Sequence, residues 1–417
     1  MTVSDDTLEQ ERQHKALYDR ARSLWLSPIV EKDLDEVETI LRTIWSDRGS
    51  IEQREDRGND VDVYRDHKRS KKGVDSCSMV GQAGCRLALW LIQSNRVSEA
   101  DEILKQLSFA CRLSSRVLMG QANEKQSANV VTRKDTLVDI PCRVYDRFLS
   151  DADLKQLMSV FGDIRSSYWT DHNYSVEPPS PYFSYLIPCK DLENFGFLGS
   201  LITRLKTCLM EWQPLLRSCS QVEMWAHNRP AATGHQLHFD TDNEGCESNV
   251  RHPLMTCILY LTDVGGPSLV TNQRKSSRYP ADKGWLSDSV VGRMTALDGR
   301  VLHCVVPGRP TYPQTRRVTL MLAFWRRIKV RGGGGGGDDD SSAATVGAAR
   351  KFPRNSNRDW ARRLRDPTLV STSQADWSAT QDKVKPEPLD HVFENLIGEP
   401  WPISSGLPSY DCVFQGI

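Results

Sequence analysis

The sequence has no excess of charge of either sign. Over 417 residues, lysine and arginine number 54 and aspartate and glutamate also number 54. A surplus of basic residues attracts a protein to nucleic acids and to anionic membranes. The balanced charge therefore disfavours a nucleic acid as partner, although it allows a local basic groove.

Long apolar runs are missing as well. No stretch approaches the roughly 20 apolar residues that a membrane-spanning helix needs. The first residues, MTVSDDTLEQERQHK, contain no apolar segment of the kind found in secretory signals. We therefore expect a soluble protein of the cytoplasm or nucleus, with no membrane partner.

The eleven cysteines are scattered and show no C-x-x-C spacing. An odd, unpatterned set favours free thiols in a reducing compartment over a disulfide framework. Cysteine chemistry is therefore not expected to carry the function.

The first 130 residues are predicted to form a helical region. Apolar residues recur at helical spacing, which predicts helices over 7–26, 33–46, 87–93 and 100–113, the last capped by Ser98. The stretch 48–76 is almost wholly charged and is predicted to be a mobile loop. The helix pairs resemble tetratricopeptide hairpins, but without a repeated signature we favour a helical support for the next domain.

Residues 140–330 show a different pattern. A helix capped by Ser150, with Asp153 at its third position, precedes short apolar runs separated by Gly, Pro, Asp and Asn turns. Many short strands at this spacing predict a double-stranded β-helix, or jelly roll. The chain is therefore predicted to be an α+β protein with a jelly-roll core preceded by a helical N-terminal region.

Two further segments complete the predicted organisation. Residues 331–350 include the run GGGGGGDDD and are predicted to be a linker. Residues 351–417 form an extension rich in Pro and Trp, with one short helix predicted around 391–397.

Two histidines and one aspartate stand in an order that suits a metal ion. His238 and Asp240 are two residues apart, so at the end of a strand they project to the same side. His303 follows the turn at Asp298 and Gly299. Two imidazoles and one carboxylate can occupy one face of an octahedral Fe(II) and leave the other face open. The alternative is that His303 is a core histidine and Asp240 a turn residue, but the ordered context favours ligation.

The chain resembles the 2-oxoglutarate and Fe(II)-dependent dioxygenases, most closely their prolyl 4-hydroxylase-like branch. The resemblance rests on five segments in order: VYDRFLSDADLKQLM, HFD, ILYLTDVGGPSLV, DGRVLHCVVPG and RRVTLMLAFW. It implies Fe(II) bound by His238, Asp240 and His303, with 2-oxoglutarate and O2 as co-substrates and ascorbate as reductant. It also implies that the product is a hydroxylated substrate, with succinate and CO2 as co-products.

The resemblance further implies an arginine for the distal carboxylate of 2-oxoglutarate. Arg317, Val318 and Thr319 match the family's Arg-x-Ser/Thr pattern, and Thr319 would add a hydroxyl donor on the same strand face. Arg316 would point the opposite way on a regular strand. A bulge would exchange Arg316 and Arg317, so both remain candidates, with Arg317 favoured.

Other residues near the motif receive structural interpretations. His235 precedes His238 by three positions and is expected on the other surface of the sheet. Trp225 and Tyr260 are expected to line the pocket, although aromatic residues on barrel strands more often fill the core.

We therefore expect an enzyme that hydroxylates a C–H bond of a protein side chain or a small molecule. A second possibility is oxidative demethylation of nucleic-acid bases, but relatives with that activity carry a further arginine where this chain has Ala323. A third is a catalytically idle module that recruits partners through its N-terminal helices, against which the intact ligand set argues. Substrate identity and oligomeric state stay open.

Overall fold

The computed structural model describes most of the two predicted regions. It covers residues 5–26, 28, 33–47, 78–119, 140–174, 183–242, 250–311, 314–328, 349–353, 357–367, 382–397 and 407. The loop predicted at 48–76 and the Gly and Asp run at 332–340 lie outside these residues. None of the helices in these ranges combines the length and the apolar composition that a membrane-spanning segment needs.

The N-terminal region is helical, as predicted. Its helices are α1 (Asp5–Leu26), α2 (Asp33–Ser46), α3 (Met79–Gln93), α4 (Val97–Gln106) and α5 (Ser115–Met119). The prediction of one helix over 100–113 is wrong, because Ser108 adopts a positive φ of 64° and the chain leaves the helix there. The predicted cap at Ser98 is also wrong, since α4 begins at Val97 and Arg96 occupies the cap position.

Two main sheets follow, accompanied by a separate two-stranded sheet, and most of the strands are short. The strands are β1 (Cys111–Leu113), β2 (Cys142–Asp146), β3 (Ser184–Pro188), β4 (Gln221–Pro230), β5 (His235–His238), β6 (Met255–Tyr260), β7 (Ser268–Arg274), β8 (Gly284–Ser287), β9 (Met294–Leu297), β10 (Val301–Val305), β11 (Arg316–Trp325), β12 (Ala349–Lys351), β13 (Asp382–Val384), β14 (Glu387–Leu389) and β15 (Phe393–Asn395). The larger sheet has the order β12-β3-β4-β11-β6-β9-β2-β13, and the smaller has the order β14-β8-β7-β10-β5.

The strands from β4 to β11 build a jelly roll. Strands β4, β6, β9 and β11 belong to the larger sheet, and β5, β7, β8 and β10 to the smaller, so the chain passes back and forth between the two. The pairings among these strands are antiparallel. Together with the preceding helices, this topology confirms the predicted fold class.

The outer face of the larger sheet is covered by helices. Helix α6 (Asp151–Phe161) and helix α8 (Gly196–Leu209) pack on it in one hydrophobic cluster with strand residues such as Leu320. The predicted cap of α6 is confirmed: Ser150 and Asp153 form a reciprocal capping box. Shorter elements are α7 (Ser167–Thr170), α9 (Asp359–Leu364) and two 3-10 helices at Cys189–Phe195 and Pro214–Ser218.

The outer face of the smaller sheet is covered by the N-terminal helices. Leu87 of α3, Leu269 of β7 and Leu302 of β10 belong to one continuous hydrophobic cluster. Removal of the first 130 residues would therefore expose an apolar sheet face. A recruitment role for these helices has to be tested by substitutions on their outer surface, because a deletion also disturbs the core.

The C-terminal segment returns to both sheets. Strand β12 pairs with β3, β13 with β2 and β14 with β8, while β15 pairs with β1. The predicted short helix at 391–397 is wrong, because residues 393–395 form strand β15. Pairing with β1, 280 to 284 positions away in the chain, gives this segment a structure that local sequence does not encode.

Arg112 ties β15 to the N-terminal region. Its guanidinium is only 1% exposed and contacts carboxylate oxygens of Asp101 and Glu394, each at 2.6 Å. Glu394 also accepts hydrogen bonds from the backbone N and the hydroxyl of Ser115, both at 2.9 Å. The carboxylate of Glu394 thus balances the buried positive charge of Arg112 and accepts hydrogen bonds from two further donors.

Replacement of Glu394 by alanine is expected to destabilise the protein by about 2 kcal/mol, the typical value for losing hydrogen bonds to a charged group. The matched control is Glu387→Ala, which breaks an ion pair with the half-exposed Arg116. That loss should be within about 1 kcal/mol. Chemical denaturation of both variants measures the difference, and equal effects would contradict the structural role given to Glu394.

Candidate metal centre

His238, Asp240 and His303 meet at one end of the smaller sheet. His238 ends β5 and lies directly across from His303 on β10. Oδ1 of Asp240 is 3.5 Å from Nε2 of His238 and 3.6 Å from Nε2 of His303. The three ligand atoms lie within 4.8 Å of one another, and among the described residues no other group of His, Cys, Asp and Glu has this arrangement.

Backbone carbonyls fix which ring nitrogen of each histidine faces the centre. Nδ1 of His238 donates to the carbonyl of Gln236 at 2.7 Å, and Nδ1 of His303 donates to the carbonyl of Val301 at 3.0 Å. A carbonyl only accepts hydrogen bonds, so the proton of each neutral ring is on Nδ1. The lone pair of each Nε2 is therefore directed at the shared space, as in metal-binding histidines.

Asp240 is oriented by a hydroxyl group. Thr256 donates to Oδ2 at 2.6 Å, which leaves Oδ1 facing the two imidazoles. Burial opposes ionisation of Asp240, but His303, His238 and the Thr256 hydroxyl together hold its pKa well below its usual range. Burial lowers the pKa of His303 to about 4. At neutral pH the centre therefore offers an ionised carboxylate and a neutral imidazole of His303.

Replacement of Thr256 by valine is expected to lower the affinity for Fe(II) roughly 10- to 100-fold, the usual cost of losing a hydrogen bond to a metal ligand. Valine keeps the shape of threonine but frees Oδ2 of Asp240 to rotate. Thr271→Val is the matched control, because Thr271 is equally buried and its hydroxyl bonds backbone groups of Leu302 and Gln273, not the side chain of a metal ligand. Anaerobic titration with Fe(II) measures both affinities; equal affinities would show that Thr256 does not position the carboxylate.

The space between the inner faces of the two main sheets, which the three ligand groups face, is the cleft of this site, and a buried arginine of β11 also faces it. Arg317 is 5% exposed; its Nη2 donates to Ser268 at 3.1 Å, and its guanidinium carbon lies 5.3 Å from the ring of Tyr260. Within the described residues it forms no ion pair with a carboxylate. Gly265 gives it room, because a Cβ at that glycine would come within 2.7 Å of Cδ of Arg317.

Arg316 lies on the opposite face of β11. The register of β11 against β4 is continuous from Arg316 to Trp325, so no bulge exchanges the two arginines. Arg316 donates to the side-chain oxygen and the backbone carbonyl of Asn228 on the outer side. Of the six predicted site residues, five face the cleft and Arg316 does not.

Within the described part of the chain, three buried polar atoms on the inner faces of β4 and β11 have no hydrogen-bond partner. They are Nε of Arg317, Oγ1 of Thr319 and Nδ1 of His227. Thr319 on β11 lies directly across from His227 on β4, so these atoms belong to one surface. A buried polar atom left unpaired costs about 1–3 kcal/mol. The residues present therefore fit a polar ligand beside the centre, and two imidazole nitrogens with one carboxylate oxygen fit Fe(II).

The expectation that His235 faces the other sheet surface is wrong. Strand β5 contains one extra residue relative to β10, since His238 pairs with His303 but His235 pairs with Val305. This bulge turns His235 to the side of His238, and their ring centroids are 4.9 Å apart.

Sequence reasoning overlooked several polar residues of the cleft. Thr256, Ser268 and Arg229 are not identified as residues of the site from the sequence. Strand β4 does carry a signal, because Gln221, Glu223, His227 and Arg229 all stand at alternate positions of QVEMWAHNR and therefore share one face. Tyr260 lies in the cleft beside Arg317 as expected, whereas Trp225 packs with Ala323 and Trp325.

By sequence, neither a family model nor a curated protein matches the chain. Among solved structures, it is similar to a prolyl-4-hydroxylase from Pseudomonas putida, with 17% identity, 45% of this chain and 93% of that chain covered, and a TM-score of 0.31. It is also similar to the viral collagen prolyl hydroxylase of Paramecium Bursaria Chlorella virus-1, solved with 2-oxoglutarate, with 14% identity, 45% and 98% coverage, and a TM-score of 0.27. A third is HygX from Streptomyces hygroscopicus, solved with nickel and 2-oxoglutarate, with 11% identity, 47% and 87% coverage, and a TM-score of 0.28. All three TM-scores are low, so a function for this chain has to be inferred from the residues of the site itself.

Proposed function

We propose that this chain is an Fe(II)- and 2-oxoglutarate-dependent dioxygenase that hydroxylates a C–H bond of a protein side chain or a small molecule. One observation carries the proposal: a two-histidine, one-carboxylate group and a separate buried arginine without a carboxylate partner in the described residues face the same cleft. His238, Asp240 and His303 would hold the metal. When bound, Fe(II) would allow O2 to react with 2-oxoglutarate. That reaction would give succinate and CO2 and would drive oxidation of the C–H bond of the substrate.

Arg317 binds the distal carboxylate of 2-oxoglutarate in this proposal. Its planar guanidinium forms charge-assisted hydrogen bonds with a carboxylate, and its Nε has no hydrogen-bond partner among the described residues. Thr319 supplies a hydroxyl donor from the same strand face. The hydrogen bond from Arg317 to Ser268 and the ring of Tyr260 hold the guanidinium in place before the ligand arrives.

The carboxylate of Asp240 favours hydroxylation over halogenation. The resemblance implies that halogenating relatives lack this ligand, whereas here Asp240 is present and held by Thr256. For nucleic-acid demethylation, the position of the further arginine is Ala323, which is fully buried beside Trp225 and Trp325. For ascorbate, which the resemblance implies as reductant, no binding residue is proposed among the described residues.

The test is the fate of 2-oxoglutarate in air. With Fe(II) and without any added substrate, the protein should convert 2-oxoglutarate slowly to succinate, and the conversion should stop when O2 or Fe(II) is withheld. The Asp240→Ala variant is the control for iron chemistry in free solution. Succinate formation at the same rate with this variant, or none with the unaltered protein, would contradict the proposed function.

A further inference from the structure

A second group of basic side chains lies beside the candidate metal centre. His227 and Arg229 project from β4 into the cleft, and His235 projects from β5. The ring of His235 is 4.9 Å from that of His238 and 5.3 Å from that of His227, measured between centroids. His227, Arg229 and His235 are called the basic wall below.

Arg229 is a buried cation whose contacts in the described structure are neutral. It is 9% exposed, and its Nη1 donates to Nδ1 of His235 at 2.9 Å and to the carbonyl of Gly234 at 3.3 Å. Its Nε lies 3.4 Å from the hydroxyl of Tyr174. No carboxylate among the described residues pairs with it. A buried charge without a counter-charge is unfavourable, which indicates that a ligand supplies one.

The charges of the proposed complex lead to the same conclusion. Arg317 lies directly across from Arg229 on the neighbouring strand, so two guanidinium groups share the cleft. Fe(II), the doubly negative 2-oxoglutarate, Asp240 and Arg317 have formal charges that cancel. Among the described charged groups, Arg229 then remains as one uncompensated positive charge, because Asp240 is already engaged with the metal-binding histidines and Thr256.

The two histidines of the basic wall lie beside the guanidinium. Arg229 donates to Nδ1 of His235, so the proton of a neutral His235 ring is on Nε2. Nδ1 of His227 is buried and has no hydrogen-bond partner among the described residues. One guanidinium, one imidazole N–H and the unpaired nitrogen of His227 form a polar group suited to a carboxylate.

We propose that the basic wall is a second anion site, which binds a carboxylate group of the substrate next to the metal centre. The proposal rests on the proposed function and narrows its substrate class: the substrate carries a carboxylate close to the carbon that is hydroxylated. The two arginines then have different ligands: Arg317 binds the co-substrate 2-oxoglutarate, and Arg229 binds the carboxylate of the substrate.

The test uses acetate as the smallest carboxylate probe and acetamide as its uncharged counterpart. The full-length protein, anaerobic with Fe(II) and saturating 2-oxoglutarate, is titrated with each probe by calorimetry while the visible absorption of bound 2-oxoglutarate is followed. Acetate is expected to bind while 2-oxoglutarate stays bound, and acetamide at least tenfold more weakly. Arg229→Gln should weaken acetate at least tenfold and leave the affinity for 2-oxoglutarate within threefold.

Two further variants make the outcome decisive. Arg316→Gln removes a guanidinium from the outer face of the same strand pair and should leave acetate binding unchanged. Arg229→Lys keeps the charge and should retain more acetate binding than Arg229→Gln; if Arg229→Gln does not fold, this variant and the acetate-to-acetamide comparison decide.

Three results would overturn the inference: no acetate binding by the unaltered protein with 2-oxoglutarate bound, acetate binding only by displacement of 2-oxoglutarate, or equal acetate binding by folded Arg229→Gln. Binding of succinate but not acetate beside 2-oxoglutarate would assign the site to the co-product and also overturn it. Failure of 2-oxoglutarate itself to bind would instead contradict the proposed function.

Discussion

Replacement of His303 by alanine is expected to lower the affinity for Fe(II) by on the order of 100-fold or more, since loss of a group that only supports a ligand already costs 10- to 100-fold. His303 is the ligand at the middle of β10, and its Nε2 faces Oδ1 of Asp240 at 3.6 Å. Alanine removes one of three ligand atoms and provides no substitute. Added 2-oxoglutarate should not restore iron binding or activity.

The His303 prediction is measured by anaerobic titration with Fe(II) and by metal analysis after desalting. His391→Ala is the control for the general effect of removing a histidine, because His391 is exposed. Unchanged iron affinity in His303→Ala would show that the histidine fills the core and does not bind metal.

Replacement of Arg317 by alanine is expected to weaken the binding of 2-oxoglutarate without weakening the binding of Fe(II). The three metal ligands remain, so iron should bind almost as well as to the unaltered protein. The distal carboxylate of 2-oxoglutarate loses its charged partner, which costs about 2–5 kcal/mol and lowers the affinity by more than tenfold. Calorimetry with 2-oxoglutarate and titration with Fe(II) report the two effects separately.

Arg316→Ala is the matched control for the Arg317 variant. Arg316 contacts Asn228 on the outer face of the sheet, so its loss should reduce stability and leave 2-oxoglutarate affinity unchanged. The reverse pattern, with a large loss in Arg316→Ala and none in Arg317→Ala, would show that the anchor is assigned to the wrong residue. Equal loss of iron in His303→Ala and Arg317→Ala would contradict the separation of roles.

The jelly-roll core and the metal-binding group could be predicted because their signals are local. Strand alternation has a period of two, which places His238 and Asp240 on one side and separates Arg317 from Arg316. Turn residues between short apolar runs mark the strand ends. These patterns need only a few neighbouring residues to be visible in the sequence.

Features that depend on pairing between distant segments could not be predicted. Strands β1 and β15 each contain three residues and become strands by pairing with each other. The orientation of His235 depends on a bulge, which changes the side-chain direction without changing the sequence pattern. The basic wall was missed for a related reason: Arg229 and His235 come together only when β4 and β5 lie in different sheets that face each other.

The N-terminal helices also acquire their role through distant contacts. Their amphipathic pattern predicted burial on one face, but it did not reveal that the smaller sheet supplies the opposing surface. Because that sheet carries His238 and His303, the helices support the elements that position the metal ligands.

The most direct measurement of the central claim is an anaerobic spectrophotometric titration of the Fe(II)-loaded protein with 2-oxoglutarate. The proposed site predicts a visible charge-transfer absorption that saturates at one equivalent of 2-oxoglutarate, is lost in His303→Ala and requires far more 2-oxoglutarate in Arg317→Ala. Absence of this absorption in the unaltered protein despite bound iron, or the same titration curve in Arg317→Ala, would contradict the claim that the metal group and Arg317 together form a 2-oxoglutarate site.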